Sequence, residues 1–130
     1  MPEINYLAVA VAAIALFVLS TGYYILFGKQ MAALHPAYAG DTQPKPWQIG
    51  VELVRNLVLA VVFAGVAGAI GVDDWGSGVL LGLALWVGFP IVLWSGAIMW
   101  EKVPPKLAAI HAGDWLLKLL AVATIISLWR

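Results

Sequence analysis

Three ionisable side chains, His111, Asp114 and Lys118, stand in the apolar stretch "AAIHAGDWLLKLLAVATIISLW" (residues 108–129), at spacings of three and four. At 100° per residue they fall within about 60° of one another on a helix surface. A second set, Glu52, Arg55 and Asn56, shares one face of an earlier apolar stretch by the same arithmetic. These residue types support three kinds of chemistry. Asp114–Lys118 and Glu52–Arg55, or the crossed pairs Asp114–Arg55 and Glu52–Lys118, form neutral ion pairs, with Arg55 suited to a bidentate carboxylate. His111 with the carboxylates forms a proton relay, since imidazole is the group that titrates near neutral pH. The third possibility is a cluster that meets charges on another subunit.

Other reaction types find little footing. Ser95, His111 and Asp114 contain the residue types of a hydrolytic set, yet no nucleophile-elbow sequence surrounds Ser95. His111 and Asp114 supply two metal ligands with no third at ligand spacing beside them. The absence of cysteine removes disulfides, thiolate metal sites and thiol nucleophiles. The expectation is no enzymatic activity, no metal and no cofactor.

The elements that must carry these residues follow from composition. The chain has 130 residues, 63% hydrophobic and 11% charged, with a formal net charge of zero. A soluble domain averages about 45–50% apolar and about 25% charged residues. A chain this short leaves too much surface exposed to hide such an excess from water, so lipid is the expected solvent. Zero net charge gives no reason to expect a nucleic-acid partner.

Four stretches are long enough to cross a hydrocarbon core, which takes about 20 apolar residues. They cover residues 4–27, 49–72, 79–100 and 107–129. The first has Glu3 and no basic residue on its N-terminal flank and is too long for a signal-peptide core, so it reads as a retained span. Between the first two spans, "GKQMAALHPAYAGDTQPKPW" is punctuated by Pro36, Pro44 and Pro46, with a short interfacial helix expected around Met31 to Leu34. "GVDDWGSG" is a tight turn. "EKVPPK" ends the third span, because Pro104 and Pro105 cannot continue a helix but can begin one. No stretch alternates strictly enough for a barrel. The expected architecture is an all-α membrane protein, a four-transmembrane-helix bundle in a single domain.

Several finer expectations attach to this frame. Lys29, Lys45, Lys102 and Lys106 lie in the two loops on one side, against Arg130 on the other, which predicts both termini outside the cytoplasm of a bacterial inner membrane. Trp47, Trp75, Trp100 and Trp129 fall near helix ends as interfacial anchors. "STGYYILFGK" and "WSGAIMWEK" close the first and third spans alike, which suggests two parallel helical-hairpin repeats. Pro90, with Gly88, Ser95 and Gly96 nearby, marks a kink or broken segment. Gly78 and Gly82 have GxxxG spacing, and Ala60, Ala64 and Gly68 make a small-residue stripe, for close approach within the bundle or between protomers.

A charge at the bilayer centre costs about 2.5–3.5 kcal/mol, so Glu52, Arg55, Asp114 and Lys118 should turn inward and cancel. One reading makes this cluster a lock between the second and fourth spans in a structural or interaction protein, partnered by lipid and by a second copy or another membrane protein. The other makes it the pathway of an oligomeric proton-coupled transporter or channel.

"INYLAVAVAA", "YYILFGKQM" and "WEKVPPKLAAIHAGDWLLKLL" resemble the bacterial membrane proteins of domain-of-unknown-function family 1761. The resemblance rests most on Phe27, Gly28, Lys29, Glu101, Lys102, Pro104, Lys106, Leu107, Ala112, Gly113 and Trp115. It implies a four-helix integral membrane protein without an established activity. The family pattern has asparagine where His111 stands and no fixed charge at 114 or 118, so the resemblance makes the ionisable cluster a feature of this member.

Overall fold

The computed structural model describes residues 4–35 and 45–129. The expectations that fall on Glu3, Pro36, Pro44 and Arg130 lie outside the described residues. The described chain forms α1 (Tyr6–Leu26), α2 (Gly28–Leu34) and α3 (Pro46–Ala69). These are followed by α4 (Trp75–Trp86), a π-helical turn (Val87–Ile91), α5 (Val92–Trp100) and α6 (Pro105–Leu128). The turn joins α4 and α5 into one rod, so four helical rods are long and apolar enough to cross a membrane.

Local chemistry sets the ends. Asn5 caps α1, its side chain accepting from the Ala8 N–H at 3.1 Å. Pro46 and Pro105 occupy first-turn positions of α3 and α6, where the missing N–H costs nothing. Asp74 caps α4 by accepting from the Ser77 N–H (3.1 Å) and hydroxyl (2.6 Å). These bonds, the hydroxyl first, hold the Asp74 carboxyl below the usual carboxylate range. That cap starts the third rod at Trp75 rather than at residue 79, because the glycine-rich "GSG" continues a helix whose first turn is already secured. Beyond α3, Gly71 takes a left-handed φ of +78°, and the Val72 N–H returns to the Ala67 carbonyl at 2.9 Å. The short interfacial helix is longer than its expected Met31–Leu34, beginning at Gly28 directly after α1.

The hairpins α1/α3 and α4–α5/α6 are joined mainly through α1 and α6. α6 therefore lies centrally and buries the largest share of its surface. The main core comprises Val9, Leu16, Ala60, Phe63, Leu119 and Val122 with their neighbours. A smaller cluster of Met31, Leu107 and Ile110 seals the end where α2 sits. Gly78 and Gly82 are buried against α6. A Cβ at Gly78 would collide with the Ser127 side chain, and one at Gly82 would sit 3.1 Å from the Leu119 carbonyl. The GxxxG spacing thus serves close packing inside the chain. Trp75 Nε1 donates to Thr124 Oγ1 at 3.0 Å at the same end. Trp47, Trp75, Trp100 and Trp129 are all exposed at helix ends, as their sequence positions predict.

Candidate functional site

Where the second half of α1 crosses the first half of α6, polar groups from the two antiparallel helices meet in register. Ser20 Oγ donates to Asp114 Oδ1 at 2.6 Å, and Lys118 Nζ lies 3.3 Å from Asp114 Oδ2. The Asp114 and Lys118 side chains are only 3% and 7% exposed. The lysine ammonium also rests 5.1 Å from the Trp115 ring centre. One carboxylate therefore faces a hydroxyl on one oxygen and an ammonium on the other, a neutral arrangement suited to a low-dielectric interior.

One turn nearer the start of α6, the Tyr24 hydroxyl and His111 Nδ1 share a hydrogen bond of 2.7 Å, its direction set by the ring tautomer. Trp94 of α5 stacks on the other side of the imidazole, 4.7 Å between centres and 12° from parallel. Tyr23 donates to the Ile110 carbonyl at 2.6 Å, and Trp86 Nε1 donates to that of Ala112 at 2.8 Å. These carbonyls bond within the helix and still accept a second proton through a free lone pair. Gly113 makes room for the tyrosine, since a Cβ there would strike the Tyr23 hydroxyl. α1, α4 and α5 are thus each tied to α6 by side chains reaching its backbone or its ionisable groups.

The six residues of the sequence-predicted cluster do not all gather here. Asp114 and Lys118 pair along α6 as their i,i+4 spacing predicts, with His111 on the same face. Asn56 is 2% exposed. The buried stripe of α1 ends at Ser20 and that of α3 begins at Asn56. The Asn56 side-chain nitrogen has no hydrogen-bond partner among the described residues.

Glu52 and Arg55 form the expected pair but not in the expected place. They bond to each other along α3 and face outward, their side chains 39% and 59% exposed, so the crossed pairs with Asp114 and Lys118 do not form. The reason is packing. α3 commits Asn56, Ala60, Phe63, Ala64 and Ala67 chiefly to α1 and touches α6 only lightly. That orientation leaves Glu52 and Arg55 round the side of the helix.

The kink or broken segment expected around Pro90 and Ser95 takes the form of an irregular turn within the third rod. Pro90 is buried within a π-helical turn that absorbs its missing N–H while the rod continues. The Ser95 hydroxyl bonds back to the Val92 carbonyl at 2.8 Å and is exposed, away from His111 and Asp114. Sequence reasoning passed over Ser20, Tyr23, Tyr24, Trp86 and Trp94. The α1 signal was available, because Ser20, Tyr23, Tyr24 and Phe27 follow the i, i+3, i+4, i+7 pattern of one helix face.

Four apolar rods with their few buried charges neutralised against one another define a multi-pass α-helical membrane protein. Within that class, the chain belongs to the family described as "Protein of unknown function (DUF1761)", whose model matches residues 7–127. No curated protein and no solved structure matches it.

Proposed function

We propose that this is a non-catalytic structural or interaction protein of the bacterial inner membrane, in which the Ser20–Asp114–Lys118 clasp fastens α1 to α6. The observation that carries this reading is the direct contact of both Asp114 oxygens with Ser20 and Lys118 inside a buried seam. A carboxylate held this way fixes helix register in the manner of buried polar groups in other bundles. The lysine-bearing loops between spans favour termini outside the cytoplasm. Because the chain has no cysteine, single cysteines test this directly. Asp73→Cys should react with an impermeant maleimide from outside intact spheroplasts, and Lys102→Cys should not.

A second reading, an oligomeric proton-coupled transporter or channel, draws on the Tyr24–His111 hydrogen bond one turn from Asp114, which places protonatable groups in sequence along α6. Asp114→Asn separates the two. Under the structural reading it lowers the unfolding temperature in detergent and leaves pH-driven flux in liposomes at the lipid background for both proteins. Flux by the native protein that Asp114→Asn abolishes, with stability nearly unchanged, overturns the structural reading.

A further inference from the structure

One short turn joins α3 to α4, yet α3 packs chiefly on α1 and α4 on α6, and the two leave each other almost untouched. The turn, tightened by the left-handed Gly71, and the first turns of α4 therefore enclose a crevice of about 300 Å³. Ile70 and Val72 line it with Ser77, Leu80, Leu81 and Ala84. That volume is at the lower end of sites that take small molecules, about 300–1,000 Å³. The rod Trp75–Trp100 has 26 residues, about 39 Å against a hydrocarbon core of about 30 Å. Its first three residues thus reach the headgroup layer. Ser77 stands at the mouth of the crevice, and Ala84 lies about 10 Å deeper, at the level of acyl chains.

The mouth is acidic. Ser77 donates through its N–H and its hydroxyl to the Asp74 carboxylate, which fixes that group at the rim, and the Asp73 side chain lies beside it. Between Arg55 and Lys102 the sequence has no basic residue, so neither helix next to the crevice neutralises the two acids. A second copy set here by a two-fold axis along the membrane normal would bring acids against acids.

We propose that the crevice seats an acyl chain of a phospholipid whose headgroup ends in a primary ammonium, with that ammonium donating to Asp73 and Asp74. A primary ammonium has three N–H donors, and its bonds to carboxylates are charge-assisted. A choline headgroup has no N–H to donate, and an anionic headgroup is repelled by the rim.

Native mass spectrometry of the delipidated full chain in micelles tests the proposal. Phosphatidylethanolamine, phosphatidylglycerol and phosphatidylcholine with the same dioleoyl chains are added in turn. The native protein should retain the ethanolamine lipid several-fold more than either of the others. Asp73→Asn with Asp74→Asn should bring the three to parity. Asp73→Asn alone, which leaves the α4 cap in place, should narrow the preference in the same direction and decides the matter if the double variant fails to fold. Ala84→Trp, which fills the crevice below the acids, should lower retention of the ethanolamine lipid several-fold. Equal retention of the three lipids by the native protein, or a preference that survives loss of both acids, overturns headgroup recognition. Retention indifferent to Ala84→Trp overturns the crevice as the seat. A dimer that Ala84→Trp dissociates assigns the crevice to a second copy and overturns the proposal. None of these outcomes bears on the clasp between α1 and α6.

Discussion

Two acid–base pairs of one chain, each within a single helix of 24 residues, occupy opposite environments. Asp114–Lys118 on α6 is buried and held by a third group from another helix. Glu52–Arg55 on α3 is exposed and satisfied only by itself. Local spacing differs by one residue and explains none of this. What differs is the number of neighbours around each helix. α6 is surrounded by α1, α4 and α5, so an inward charge has nowhere to go and must be neutralised in place. α3 has one main neighbour, so its charges can lie outside the seam. The environment of an ion pair in a bundle is set by the position of its helix in the packing order.

The comparison breaks most visibly at Lys118. Lys118→Ala strands the Asp114 carboxylate, and loss of one partner of a buried pair costs about 3–5 kcal/mol. Detergent unfolding curves should show that loss. The double substitution Asp114→Leu with Lys118→Met removes both charges and should return stability to the native value or above it, by up to about 4 kcal/mol. A double variant as weak as the single would show that the site needs the charges themselves. Ser20→Ala deletes one bond to the carboxylate and should cost about 1–2 kcal/mol on the scale of interhelical hydrogen bonds in membranes. On α3, Glu52→Gln with Arg55→Gln should change monomer stability by no more than about 1 kcal/mol, the range of exposed pairs.

The smallest effect belongs to Asp74. Its carboxyl titrates lower in the folded protein than in the unfolded chain. Its stabilisation of α4 is therefore complete above the unfolded carboxylate range and drains away as pH falls through the folded value. Asp74→Asn should flatten that acid-side slope of the unfolding temperature and lower the value near neutral pH towards the acid one.

The rods were legible in the sequence because hydrophobic length is a local property and proline pairs such as Pro104–Pro105 mark a helix start, whereas the Asp74 cap, which moves the third rod's start from 79 to Trp75, was not. The Asp114–Lys118 pair was legible for the same reason, since both partners sit on one helix. Its third member was not. Ser20 lies 94 positions away, and only the choice of α1 over α3 as the neighbour of α6 brings it to the carboxylate. The misplacement of Glu52 and Arg55 has the same origin. Neutral charge totals say that acids and bases can cancel, but helix adjacency decides which of them meet. Pro90 marks a kink or a broken segment in the sequence because ring sterics forbid a regular α-turn, and in the fold a single wider turn accommodates the ring.

The central position of α6 has a consequence for biogenesis. Among the described helices it is the last to leave the ribosome, and translation proceeds at roughly 5–20 residues per second. Until it emerges, α1 and α3 can associate, but the long rod of α4 and α5 has no mate. Ser20, Trp86 and the glycines of α4 wait in lipid for partners not yet synthesised. Packing of the described helices is therefore completed only when α6 joins them.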